Sequence, residues 1–157
     1  PIELEPMRTF PVVRDLIVDR SRMFEALKQV RAWVPIDGTY SLGMGPKMSA
    51  AVAEERYPLS TCMTCGCCLE ACPNVHQESP YVGAFAINQV RLFNEHPTGA
   101  MNADERLEAL AGIGGIAWCG NNQNCVRVCP KEIPLTESIA DMWRATAAYG
   151  FRKLFRR

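Results

Sequence analysis

The chain has 157 residues, with 17 basic and 17 acidic side chains and no formal net charge. That length suits one domain able to bury roughly two thirds of its unfolded surface, and the balanced charge gives no argument for a nucleic-acid partner. No apolar run approaches the roughly eighteen residues of a membrane span, so the eight cysteines are the feature that needs a chemical explanation.

In chain order, Pro1, Pro6 and Pro11 keep the opening stretch extended. The chain opens at Pro1 without an initiator methionine, and is expected to be the tail of a longer polypeptide. Val12–Val18 is apolar with Arg14 and Asp15 embedded, which fits a short strand or a covered connector. Asp19 or Ser21 offers an N-cap, and Met23, Leu27, Val30 and Val34 follow at helical spacing. A helix is expected over 21–33, stopping before Pro35. A glycine-rich loop follows at Asp37–Pro46, then a short helix over Met48–Tyr57 ended by Pro58.

The stretch Thr61–Pro73 reads TCMTCGCCLEACP, with Cys62, Cys65, Cys68 and Cys72 in a C-x2-C-x2-C-x3-C-P spacing. That run is the ligand loop of bacterial-type ferredoxins, in which the fourth cysteine binds a different cluster from the first three. Ser79 then offers a cap with Pro80 at the first helical position. Val82, Phe85, Ala86, Val90 and Phe93 hold helical phase until Pro97, with His96 as a C-terminal cap. Asn102 and Glu105 form a capping pair for a helix over Ala103–Ala111, which Gly112, Gly114 and Gly115 break.

The second cysteine loop, WCGNNQNCVRVCP, spans Trp118–Pro130. Its Cys119, Cys125 and Cys129 match Cys62, Cys68 and Cys72 at a constant offset of 57, and Pro130 matches Pro73. Asn122 stands where Cys65 would repeat. Thr136, 57 after Ser79, caps a last helix running to about Tyr149, with Ile139, Met142, Trp143 and Ala147 inward and Gly150 as the stop. The tail interleaves Arg152, Lys153, Arg156 and Arg157 with Phe151, Leu154 and Phe155, which fits a frayed terminal helix or a contact with anionic headgroups.

The chain is thus an internal repeat of helix, cysteine loop, helix, with almost no period-two alternation. An all-α fold follows: an α-helical ferredoxin with two pseudo-repeated units. Exchanging the fourth ligands assigns Cys62, Cys65, Cys68 and Cys129 to a [4Fe-4S] cluster. Cys72, Cys119 and Cys125 are then left for a [3Fe-4S] cluster whose vacant corner faces Asn122. Cys67 falls outside the pattern and reads as a small buried apolar residue. Zinc prefers closed sets of four ligands, and seven in-pattern cysteines divide badly into fours. A disulfide framework is disfavoured because cysteines so close in sequence seldom pair with one another. Lys131, directly after the second Cys-Pro, is placed to favour a reduced cluster or to stand in solvent.

The segments FPVVRDLIVDRSRMF, CMTCGCCLEACP and CGNNQNCVRVCPKEIPLTESIADM resemble the iron–sulfur subunits of succinate dehydrogenase and fumarate reductase from about Ile2 to Trp143. The resemblance implies that residues 1–20 are a connector from an absent N-terminal [2Fe-2S] ferredoxin domain and that 21–157 are the helical domain. It implies electron relay within an enzyme complex, with no catalytic residue for succinate chemistry in this chain. Electrons would come from a FAD-containing flavoprotein and leave to a quinone at a cytochrome b-type membrane anchor. The expected location is peripheral, on the cytoplasmic face of a bacterial cell membrane, which also suits thiolate clusters that need a reducing compartment.

The ubiquinone-reducing members resembled carry a tryptophan shortly after the first Cys-Pro and a histidine after the first cysteine of the second loop. Here PNVHQ follows Cys72 and Gly120 follows Cys119, a pattern more like the menaquinone-type bacterial enzymes. Pro73, His76 and Trp118 are candidate neighbours of the quinone or anchor. Two other classes remain as alternatives: a helical ferredoxin subunit of a heterodisulfide-reductase-like or glycolate-oxidase-like complex, and a zinc-stabilised interaction module.

Overall fold

A computed structural model of the chain describes residues 1–35 and 47–155. The glycine-rich loop expected at Asp37–Pro46 therefore lies outside the described residues. Seven α-helices account for about half of the described chain, and the expected all-α class holds. Among the described residues the strand content is one hairpin, β1 (Val12–Arg14) against β2 (Ile17–Val18), antiparallel and largely exposed. Asp15 makes its turn at φ 57°. The stretch expected to be a strand or a covered connector is thus a strand pair that little covers.

Helix α1 spans Ser21–Gln29, shorter than the 21–33 expected. The Asp19 carboxylate accepts the Ser21 N–H at 2.8 Å and so opens the helix from one position further out than an N-cap. Its end comes early because Arg31 takes a left-handed φ of 51°. The carbonyls of Arg31 and Trp33 both turn to accept from the guanidinium of Arg106, at 3.1 and 2.8 Å. Helix α2 (Ala50–Ser60) is capped by Ser49 and carries Pro58 inside its last turn rather than ending there. Ser60 and Thr61 hydroxyls donate back to the Tyr57 and Pro58 carbonyls, satisfying the last turn locally.

Helix α4 (Ala84–Glu95) is the axis of the domain. Phe85, Ala86, Ile87 and Val90 on it are almost wholly inaccessible, each large one contributing roughly 1.5–3 kcal/mol by burial. It packs on α7 (Leu135–Phe155), on α2 and on α1, while α5 (Ala103–Ala111) packs on α7. The expected start at Ser79-Pro80 is corrected: the chain stays extended until Gly83. Ser79 Oγ accepts the Tyr81 N–H at 3.2 Å and donates to the Asn74 carbonyl at 2.6 Å, so it closes a turn and does not cap a helix. Gly83 then sits at φ 88°, a left-handed conformation that favours glycine, with Leu69 Cδ2 packed close against it. His96 is the C-cap of α4, as expected, and its Nδ1 accepts the Gly99 N–H at 3.3 Å.

Helix α5 has the expected bounds, although Asn102 donates to the Glu105 carboxylate at 3.2 Å without capping a backbone N–H. Helix α7 departs most from expectation. Thr136 lies within its first turn, Gly150 does not stop it, and its buried face is Leu135, Ser138, Met142 and Thr146. Ile139 is half-buried, whereas Trp143 and Ala147, expected inward, are exposed. Beyond Gly150 the helix is tied to α5 by Arg152–Asp104 at 3.1 Å and by a Lys153–Glu108 pair. These bonds engage two of the tail's cations with carboxylates. No described helix is long and apolar enough to cross a membrane.

Buried polar groups lock the helices in register. Asn88 on α4 donates to the Leu59 carbonyl of α2 at 2.9 Å and accepts from Ser138 of α7 at 3.0 Å. Arg91 bridges Glu95 at 2.8 Å and Asp141 of α7 at 2.9 Å.

Candidate metal centres

The two cysteine loops share one backbone design. Residues 64 and 66 take left-handed φ values of 50° and 91°, and residues 121 and 123, each 57 further on, take 53° and 60°. A single helical turn follows each: α3 at Cys67–Glu70 and α6 at Asn124–Arg127. The left-handed residues swing successive side chains around a common centre, which explains Gly66 in the first loop; in the second, Gln123 bears the same conformation without that freedom.

Helices α3 and α6 pack against each other, and Asn124 Nδ2 donates to the Ala71 carbonyl at 2.9 Å across the join. Two cavities lie beside them. Cys62, Cys65, Cys68 and Cys129 line the first, with Phe85, Ile133 and Leu135 as its apolar wall and Lys131 at its edge. Cys72, Cys119 and Cys125 line the second, together with Asn122, Pro73 and Tyr81. The fourth cysteine of each loop thus faces the cavity of the other.

The donor set fits iron–sulfur chemistry. Thiolates are the protein ligands of such clusters, and among the described residues no three Cys, His, Asp or Glu side chains converge on a point that would hold a single metal ion. Sulfurs spread around a cavity suit a multi-atom centre and not a tetrahedral zinc site with bonds of about 2.3 Å. Burial, and then the neighbouring Cys62, Cys65 and Cys125 thiols, push Cys68 up to about 12. Burial likewise raises Cys72 and Cys125. Bare, these thiols hold their protons; only coordination to a metal would draw them out as thiolates.

Cys67 lies in α3, half-buried beside Cys65, and does not line either cavity. It is less buried than expected. Replacing it by alanine is expected to leave the iron content and visible spectrum of the holoprotein unchanged; a loss of iron would show that the ligand register is wrong by one residue.

Of the three residues proposed near a quinone or anchor, Pro73 lines the three-cysteine cavity. His76 and Trp118 are exposed and line neither cavity. The His76 carbonyl accepts from Arg22 at 2.6 Å, and the Trp118 carbonyl accepts from Asn74. Sequence reasoning missed a groove that opens beside the three-cysteine cavity. Ile116, Cys119, Ile139, Ala140, Trp143 and Arg144 are among its walls. The signal was there, since Trp143 lies one position out of phase with the buried Met142. Tyr81 was also missed. It is 3% exposed and lines the three-cysteine cavity beside Cys119. Burial first, and then that thiol, raise the phenol far above its ordinary pKa.

The opening segment is fastened to the first loop. The Glu70 carboxylate of α3 accepts the N–H groups of Arg8 and Thr9, both at 2.9 Å, and the buried Phe10 ring lies over Gly66. Burial raises the Glu70 pKa, but these donors outweigh it and the net shift is downward. A depressed carboxylate stabilises the fold above its unfolded pKa, and that contribution is lost as pH falls through the lower folded value. Glu70→Ala should therefore cost about 1–2 kcal/mol at neutral pH, with the gap to the unaltered protein closing under acid. Urea unfolding at pH 7 and pH 4 checks it; an equal gap at both values would contradict it.

Comparison with known proteins bears on what these cavities hold. Residues 58–133 match the family described as the 4Fe-4S dicluster domain. The succinate dehydrogenase iron–sulfur subunit of Bacillus subtilis is 63% identical over 155 residues, covering 99% of this chain and 61% of that protein. The fumarate reductase iron–sulfur subunit of Wolinella succinogenes is 30% identical, covering 91% of this chain and 61% of its own length. The chain is thus similar over nearly its whole length to iron–sulfur subunits of succinate dehydrogenase and fumarate reductase. A chain of the Mycobacterium smegmatis Sdh1 complex in its apo form superposes with a TM-score of 0.75 at 25% identity, covering 93% of this chain and 61% of that one. The chain spans about three fifths of the length of the relatives it matches.

Proposed function

We propose that this domain relays electrons within a succinate:quinone oxidoreductase. Cys62, Cys65, Cys68 and Cys129 would hold a [4Fe-4S] cluster, and Cys72, Cys119 and Cys125 a [3Fe-4S] cluster. The observation that carries this reading is the sorting of seven cysteines into two cavities, four and three, by exchange of the fourth cysteine between the loops. Bound there, the clusters supply one-electron carriers in series.

The chain's own residues insulate and tune. Phe85, Ile133 and Leu135 keep water from the four-thiol centre, and Lys131 at its edge favours an added electron. Asn122 occupies the corner of the three-thiol centre where a fourth thiolate would stand. The opening residues 1–20, held by Glu70 and Phe10, would connect to an N-terminal [2Fe-2S] domain and through it to a flavoprotein that oxidises succinate. The groove walled by Trp143 and Ile139 adjoins the three-thiol cavity and supports an exit toward a membrane anchor and its quinone there, with menaquinone favoured by Gly120 and the PNVHQ stretch.

The test is purification of the native complex from membranes. A flavoprotein and a membrane cytochrome should copurify, and the oxidised sample should show a three-iron electron paramagnetic resonance signal. A sample carrying zinc in place of iron would overturn the reading.

A further inference from the structure

The two cavities differ in their aromatic wall as well as in their cysteine counts. The four-cysteine cavity presents the phenyl ring of Phe85 and the aliphatic Ile133 and Leu135. The three-cysteine cavity presents Tyr81, a buried phenol that lines it together with Cys119. The position 57 residues after Tyr81 is Ser138, which is buried but spends its hydroxyl on Asn88 and lines neither cavity. The repeat therefore supplies no equivalent donor to the first centre.

Tyr81 is also held more firmly than a wall residue needs to be. Its own N–H is bound by Ser79 Oγ, and Ser79 in turn is tied to the Asn74 carbonyl. The next residue, Val82, donates its N–H to the Gly114 carbonyl at 2.9 Å. Gly83 follows in a left-handed conformation, with Leu69 packed close against it. Fixed on both sides, and 3% exposed, the phenol has little freedom to turn away from Cys119.

We infer that Tyr81 is a positioning residue for electron transfer: its hydroxyl donates a hydrogen bond to the Cys119 sulfur and thereby raises the reduction potential of the three-thiol centre. The inference rests on the cluster assignment proposed above. The physical reason is that a reduced centre places more negative charge on its sulfurs, so a donor aimed at one of them stabilises the reduced form more than the oxidised one. One electron enters from the neighbouring centre and leaves to the acceptor. The hydroxyl keeps its proton throughout; only its hydrogen bond strengthens as the sulfur gains negative charge.

The experiment is a redox titration of the intact complex, followed by electron paramagnetic resonance, for the unaltered protein and Tyr81→Phe. Phenylalanine keeps the ring and removes only the donor. The three-iron signal should persist while its midpoint falls by about 59 mV, a tenfold shift for a one-electron couple, and the four-iron midpoint should stay in place. An exchangeable-proton coupling to the three-iron signal should disappear with the hydroxyl. As a second variant, 3-fluorotyrosine at position 81 makes the phenol a stronger donor and should move the midpoint upward. An intact three-iron signal with unmoved midpoints in both variants overturns the role of Tyr81 and leaves the cluster assignment standing. Absence of that signal from the unaltered protein removes the assignment itself, and this inference with it.

Discussion

Asn122→Cys should convert the three-thiol centre into a four-iron one, and the oxidised protein should lose its three-iron paramagnetic signal. Asn122 lines the same cavity as Cys72, Cys119 and Cys125, at the place where the first loop carries Cys65. The backbone around it already has the first loop's form, with left-handed residues on either side at 121 and 123. A thiol introduced there would complete a set of four without any change of fold. Iron per protein should rise by one and the midpoint of the converted centre should fall, because a fourth thiolate adds negative charge. A three-iron signal of full intensity in Asn122→Cys would show that the corner lies elsewhere.

Arg106→Leu should be the most destabilising substitution away from the cysteines. Arg106 is 1% exposed, and its guanidinium serves the carbonyls of Arg31, Trp33 and Gly99 and the side chain of Asn94. It also lies 5.9 Å from the centroid of the Phe93 ring. Leucine fills part of the space but strands those acceptors, at a cost of about 1–3 kcal/mol for each one left dry. A net loss of roughly 3 kcal/mol corresponds to a Tm lower by about 6–12 °C in a chain of this size. Arg106→Lys keeps the charge without the planar fork and should recover only part of it. Thermal unfolding followed by circular dichroism checks both; a Leu variant within about 2 °C of the unaltered protein would contradict the assigned role.

The cysteine loops were legible because ligand spacing is a local property. Seven positions and an offset of 57 were enough to anticipate which sulfurs share a cavity. The left-handed backbone at Asn121 and Gln123 was not legible, since neither residue type demands it; it follows only from the match to Thr64 and Gly66. Helix interiors were read well where apolar spacing was dense, as along Phe85–Val90. Boundaries failed where a distant group decided them. Helix α1 ends early because Arg106, 75 residues further on than Arg31, draws out its carbonyl, and a charged residue in a short amphipathic helix gives no hint of such burial. Gly150 reads as a stop, but a single glycine costs only about 1 kcal/mol in a helix, and the tethers from Arg152 and Lys153 to α5 carry α7 past it. Trp143 reads as core because it is large and apolar. The true inward face, Ser138 to Met142 to Thr146, includes two hydroxyl residues that pattern counting discounts.

The central claim is that each loop gives its last cysteine to the other loop's centre. Iron-edge anomalous scattering from crystals of the complex tests it most directly. Cys129 should be bonded to the iron centre of Cys62, Cys65 and Cys68, and Cys72 to the centre of Cys119 and Cys125. Finding Cys72 on the same centre as Cys62, Cys65 and Cys68 would contradict the account.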